Sequence, residues 1–482
     1  MLTNQRSSCS LALTTLLGLV GVGVCIVAGF LAGTSAKLVG LAIVAVGIVF
    51  YFFIKFEQAV LVLLILRSSL DVFSDIQIPA VFAVGLDALT LLYVIVLLLT
   101  GHIVRTDRFW WFLAGWVLLQ GLWLILLHLG ALGLDASYLP ASIREWVRLF
   151  SWVMVYLLVM QLKDRLPPQK VIASLFLALL LPIAIGLLQI CVPSLTASLF
   201  SGNAGADIGS LPSEAHDRIV GTFGTANTFA TFLLLFISLV FWKLNWTQQR
   251  WFWLTLLGLL CFFLISTKTL FSLMMIAVFV LVLITPKLNL VKLISGVLFL
   301  GLVIVFFAST EFGQQRLASI AQTPLLNPDI DISRAILLSQ GDSNSFNWRL
   351  SQWYLLLNAW KNSPIFGYGL GLTMPAAGND FLPHNDYIRA LVEGGIIGLV
   401  SFLALFAAQF THLLLLIQQT PYGSKQRNLC FILLAMLTSI PVGMITENIW
   451  SHTTLFFYWW TLLAVAGWNW NEQQVREDMT FK

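Results

Sequence analysis

Charge is what this sequence has least of: 10% of its 482 residues are Asp, Glu, Lys or Arg, while 59% are hydrophobic. An ordinary soluble domain carries about 25% charged residues, so a water-soluble globule is excluded. Cysteine is sparse too. Cys9, Cys25, Cys191, Cys261 and Cys430 lie in or beside apolar runs without CxxC spacing, which argues against a zinc site or a disulfide framework and leaves packing. The chain has no DxD or HExxH pair, no Walker or Rossmann loop, no heptads and no internal repeat, so no motif for a metal or a nucleotide stands out. The net charge of +4 is small and dispersed, and nucleic acid is not expected as a partner.

What the sequence does have is long apolar runs. A hydrocarbon core of roughly 30 Å takes about 20 residues per helix. On that rule spans fall near 11–32, 38–54, 80–100, 109–130, 146–162, 171–192, 226–242, 251–266, 269–285, 291–308, 393–417, 429–447 and 452–468. The run "AVLVLLIL" at 59–66 is shorter and is counted as crossing. The first run is long enough to span, so no cleavable signal is expected. The fold class is therefore an all-α polytopic transmembrane bundle of about 12–14 spans. Three regions follow: 1–308, transmembrane helices with short loops and one longer loop at 193–225; 309–392, a large hydrophilic loop carrying short amphipathic helices; and 393–482, C-terminal spans with a tail.

Basic residues divide the loops into two sets. "RTDR" (105–108), "KDRLPPQK" (163–170), "KLNWTQQR" (243–250), "PKLNLVK" (286–292) and "SKQR" (424–427), with Arg6, Lys55, Arg476 and Lys482, form one set. The positive-inside rule expects it in the cytoplasm. The opposite set holds Lys37, Arg67, Arg144, Arg148, Arg218, Lys268, Arg316, Arg334, Arg349, Lys361 and Arg389. Cations should be depleted there, and the survivors are mostly arginine, whose planar fork suits phosphate or carboxylate. The alternative is that individual members snorkel to lipid phosphates or pair with Asp and Glu.

Both long loops, 193–225 and 309–392, fall in the second set. Within the larger one, "FNWRLSQWYLLLNAWKNSP" reads as a helix with Phe346, Leu350, Trp353, Leu357 and Trp360 on one face. It lies in the membrane interface or packs on other loop helices. "PIFGYGLGL" follows, with alternate glycines at 367, 369 and 371 that permit tight turns and close backbone approach. In "PHNDYIRALVEGG", Pro383 to Asp386 read as a turn with Asn or Asp capping the next helix. Asp386 and Glu393 are spaced to brace Arg389 at i,i+3 and i,i+4. His384 then sits at a helix start on the membrane surface, either as a general base or as a capping residue that satisfies loop carbonyls.

The order of these pieces, Arg-x-x-x-Trp, "SPIFGYGLG" and then "PHNDYIRALVEGGIIGLVSF" entering a span, resembles the signature of the O-antigen ligase and polymerase superfamily. Upstream, "DRIVGTFGTANTFA" and "STKTLFSLMMIAVF" resemble two further elements, with Lys268 where arginine is usual, and "ENIWSHTTLFFYWW" resembles the closing span pair. The resemblance covers most of 200–470. It implies a C-type-fold glycosyltransferase of the cytoplasmic (inner) membrane with its site on the periplasmic, extracytoplasmic side. Such enzymes move a glycan from a polyprenyl (undecaprenyl) diphosphate carrier to an acceptor, without a metal or other cofactor. The acceptor is a lipid A-core sugar for ligases, another lipid-linked repeat for polymerases, and a protein serine for some relatives. Further implied partners are membrane lipids and polysaccharide-assembly proteins.

On this reading Arg218, Arg316 and Arg349, supported by Lys268, bind the diphosphate, and His384, oriented by Asn385, activates the acceptor hydroxyl. Gly367 and Gly369 shape the turn beside the site, and the Arg389–Glu393 pair holds the helix that follows it. Ligase-type transfer ranks first and polymerisation second. A transporter, with Asp87 as its intramembrane acid, and a non-catalytic assembly scaffold are the readings from other classes.

Overall fold

The computed structural model describes residues 36–194, 218–285, 323–341 and 345–470, with isolated positions between 298 and 321. The spans expected at 11–32 and 291–308, and Arg316, lie outside the described residues. Among those that are described there are helices and no strands. They are α1 (Ala36–Ile54), α2 (Phe56–Leu66), α3 (Ile78–Leu99), α4 (Arg108–His128), α5 (Leu139–Met160), α6 (Pro168–Cys191), α7 (Ala226–Leu244), α8 (Arg250–Ser266) and α9 (Leu270–Ile284). The large loop contributes α10 (Ile332–Gly341), α11 (Ser345–Trp360) and α12 (Thr373–Ala377), and α13 (Asp386–Gln419), α14 (Lys425–Gly443) and α15 (Thr453–Ala466) close the bundle.

Six of these, α3, α4, α6, α7, α13 and α14, are long and apolar enough to cross a membrane, and α8, α9, α15 and part of α1 are shorter apolar helices. The chain is thus a polytopic helical membrane protein. α7 and α15 form its centre: every residue from Thr454 to Ala466 is buried. α2 contains the short run 59–66. It reaches from Phe56, beneath the Arg165 guanidinium at 5.1 Å, to Arg67, which donates to Thr453 Oγ1 at 2.7 Å.

Three boundaries differ from expectation. α5 begins at Leu139, well before 146, and carries Arg144, Glu145 and Arg148 into its first turns. α14 stops at Gly443 and α15 starts at Thr453, so Glu447 and His452 belong to a link outside the spans. α13 begins at Asp386 and is broken at Gly395 (φ 63°, ψ −161°). Hydropathy averages over a window and cannot see where a cap or a paired charge ends a helix.

The break in α13 is filled by the glycine run. Tyr368 N–H donates to Val392 O at 3.0 Å and Gly369 N–H to Glu393 O at 2.8 Å, while Ile396 N–H donates back to Pro364 O at 2.9 Å. The two backbones are so close that a Cβ on Gly367 (φ +66°) would lie 2.3 Å from Val392 O. A left-handed L-residue alone costs about 1–2 kcal/mol. At Gly378 (φ +68°) a Cβ meets nothing within 4 Å. Gly367→Ala is therefore expected to lose at least twice the stability that Gly378→Ala loses, as read by thermal unfolding in detergent. Equal losses would mean that the close approach contributes nothing.

α11 matches the helix expected at 346–360, with a different face inward. Asn347, Trp348, Ser351, Gln352 and Leu356 are buried, while Phe346 and Leu357 are exposed. The other stripe residues, Leu350, Trp353 and Trp360, are half-buried, and Trp353 Nε1 donates to Pro383 O at 2.6 Å, so the stripe runs along the edge of the protein.

Candidate active site

The turn before α13 is built as its sequence suggests. Asn385 is the N-cap: its Oδ1 accepts from Tyr387 N–H and Ile388 N–H, each at 3.0 Å. That employs the asparagine in starting the helix rather than in orienting the histidine. His384 takes a left-handed backbone (φ 46°), a conformation uncommon outside glycine and concentrated where function demands it. Its Nδ1 lies 3.1 Å from Glu447 Oε1, and its ring meets Trp348 edge-on at 5.3 Å. The orienting group is thus Glu447.

Glu447 is the hub of the site. It is buried, and its Oε2 accepts from Asn227 Nδ2 at 2.6 Å while its Oε1 also accepts from Asn448 N–H at 2.9 Å. Arg349 Nη2 stands 3.9 Å from Oε2. Arg218 joins through the asparagine, donating from Nη2 to Asn227 Oδ1 at 2.8 Å and from Nε to Thr267 O at 3.0 Å. Lys268 follows Thr267 directly, with a left-handed φ of 51°. Burial raises the carboxyl's proton affinity, but His384, its hydrogen bond and then Arg349 and His452 outweigh it, holding Glu447 at about 2. The hub is an anion at neutral pH.

Of the expected site residues, the structure therefore gathers His384, Arg349 and Arg218 around one carboxylate, with Lys268 beside the carbonyl that Arg218 holds. Glu447 and Asn227 are not singled out by sequence reasoning. Their signals are the acid in the short "ENIWSH" link and the asparagine of "GTANTFA", neither of which sequence alone ties to a histidine far away in the chain. Among the described residues no cluster of three or more His, Cys, Asp or Glu is arranged to hold a metal.

A second polar cluster lies alongside. Arg389 Nε donates to Glu393 Oε1 at 2.9 Å, Nη2 to Glu145 Oε1 at 2.8 Å and Nη1 to Ser451 Oγ at 2.6 Å. Arg148 also pairs with Glu145 and donates to Trp450 O. The expected Arg389–Glu393 brace is present, but Glu145 takes the place expected of Asp386, whose Oδ2 instead accepts from Trp450 N–H. The helix start leaves Asp386 pointing at the 444–452 link, and α5 brings Glu145 across. Gly367 and Gly369 lie against the helix break next to Glu393.

His452, also in the link, is buried, with Nδ1 2.9 Å from Thr231 Oγ1. Burial lowers it, only partly opposed by Glu447, to about 4. The sign follows. Between about pH 6.5 and 4 the unfolded chain takes up a proton that the folded chain refuses, so stability falls as pH drops through that window. The full effect is on the order of 3 kcal/mol. His452→Gln is expected to flatten the melting temperature across pH 4–6.5; an unchanged slope would remove His452 as its source.

Taken together, the fold and this cluster define a polytopic membrane protein in which loops from several helices present a carboxylate-held histidine and arginines at one end of the bundle. Residues 253–403 match the family model described as O-antigen ligase, which supports the resemblance to the O-antigen ligase superfamily over that part of the chain. The matched interval contains Lys268, Arg349 and His384, while Arg218 and Glu447 stand on either side of it. No curated protein sequence matches the chain significantly.

Proposed function

We propose that the protein transfers a glycan from a polyprenyl diphosphate carrier to an acceptor hydroxyl on the extracytoplasmic face, as a ligase-type glycosyltransferase. The observation that carries the reading is the contact between His384 Nδ1 and Glu447 Oε1, with Arg349 beside the same carboxylate and Arg218 joined to it through Asn227. With Nδ1 held, Nε2 faces the acceptor and takes its proton, and the buried carboxylate stabilises the imidazolium that forms. The acceptor oxygen bonds to the anomeric carbon as the bond to the diphosphate oxygen breaks. Negative charge then grows on the departing polyprenyl diphosphate. Arg218 and Arg349, with Arg316 and Lys268, compensate it, so no step of the transfer calls on a metal. Attack from the opposite face inverts the anomeric centre. The exposed Phe346 and Leu357 of α11 rest in the lipid interface, where the carrier's isoprenoid chain lies.

The location comes from the loop partition, and labelling tests it. In a cysteine-free background Lys361→Cys, an exposed position, is expected to react with a membrane-impermeant maleimide in intact cells. Tyr422→Cys, 92% exposed, is expected to react only after permeabilisation. The reverse pattern would put His384 in the cytosol and overturn the proposal. Transfer itself is tested in liposomes given a polyprenyl-diphosphate glycan and candidate acceptors. A product of inverted configuration is expected, and a retained one contradicts the mechanism.

A further inference from the structure

Glu447 reaches His384 from 63 positions further along the chain, so its link must be held in register against the start of α13. Asp386 holds it at both ends. Its backbone N–H donates to Met444 O at 2.9 Å, and its Oδ2 accepts from Trp450 N–H at 2.8 Å. Met444 and Trp450 flank Glu447 symmetrically in sequence. We infer that Asp386 is a positioning residue: it clips the 444–450 link onto the helix that carries His384 and so sets the His384–Glu447 pair. The inference rests on the proposed function for its catalytic consequence, though not for the clip itself.

Neither bond requires a negative charge. Near Asp386 the carboxylates of Glu145 and Glu393 are already matched by Arg148 and Arg389. Asp386 is 1% exposed, and its Oδ1 is buried without a hydrogen-bond partner. It also lines a cavity of ≈ 40 Å³, beside Gln120, Glu145, Arg389 and Glu393, which is room for water. A charged carboxylate with one bare buried oxygen is unfavourable in a cluster whose charges already balance. The neutral acid fits better: one oxygen accepts from Trp450 while the hydroxyl donates into the cavity. Asparagine reproduces both side-chain contacts and alanine neither, while the backbone bond to Met444 O is open to every variant.

The test compares parent, Asp386→Ala and Asp386→Asn in liposomes. It measures glycan transfer from a polyprenyl-diphosphate donor and amide hydrogen exchange of the 444–452 segment. Alanine is expected to lower transfer at saturating substrates about tenfold, with donor KM nearly unchanged, and to speed exchange in that segment by a similar factor. Asparagine is expected to restore most of both. If Asp386→Ala does not reach the membrane, Asp386→Ser, too short to reach Trp450 N–H, replaces it. Parental exchange in the alanine or serine variant overturns the clip, and faster exchange with parental transfer overturns the positioning role. An asparagine variant as impaired as alanine overturns the neutral form. If the parent transfers no glycan, the proposed function fails, while exchange still decides whether Asp386 clips the link.

Discussion

His384→Ala is expected to lower glycan transfer by about 10²–10⁴-fold, the usual contribution of a positioned general base, while the folded protein and its donor binding persist. The rival explanation of this residue is a helix cap, whose loss costs about 1–2 kcal/mol of stability and leaves turnover per folded molecule intact. The structure gives that task to Asn385, whose Oδ1 meets both Tyr387 N–H and Ile388 N–H. The histidine, held instead by Glu447, is free of capping work. Glu447→Gln keeps the shape but removes the charge beside the imidazolium. It is expected to cost roughly 10- to 150-fold, the equivalent of a charge-assisted hydrogen bond of about 1.5–3 kcal/mol. Because the carboxylate acts through the histidine, the two losses should not add in the double variant. Fully additive losses would separate Glu447 from the base.

The arginines carry the second large effect. Removing Arg218 or Arg349 is expected to lower transfer by roughly 10- to 150-fold, again one charge-assisted contact of about 1.5–3 kcal/mol. Lysine should recover only part of it, because a point charge lacks the guanidinium fork. The two positions differ in how they are held. Arg218 is anchored by Thr267 O and Asn227 Oδ1, whereas Arg349 stands at 3.9 Å from Glu447. Arg218→Lys should therefore also loosen Asn227 and, through it, Glu447. Measured at constant amounts of folded protein, parental transfer by both alanine variants would sink the diphosphate assignment.

Much of the fold and part of the site are legible in the residues alone. The bundle is legible because a span is a composition over about 20 residues, and the α11 helix because its period is regular. The "PHND" turn is legible because Asn is a cap with a mechanism. Partnership across the chain is not. Nothing in "ENIWSH" says that its glutamate meets His384, and nothing in α5 says that Glu145 crosses to Arg389, since both contacts depend on how helices pack. The inward face of α11 escapes the pattern for a related reason. In a membrane protein an apolar stripe can face lipid, so periodicity finds the stripe without saying which side the protein is on.

The central claim, that His384 is the base of a glycan transfer, is tested most directly by one comparison in liposomes. Transfer from a polyprenyl-diphosphate glycan is measured for parent, His384→Ala and Asp87→Asn, each normalised to folded protein. Asp87 is the intramembrane acid that transport would favour. It is buried between α3 and α5, and its Oδ2 accepts from Ser151 Oγ at 2.5 Å, away from the histidine's hydrogen bonds. His384→Ala is expected to lose at least about a hundredfold and Asp87→Asn to retain transfer within a few-fold. Parental transfer by His384→Ala would make the "PHND" turn structural and contradict the mechanism.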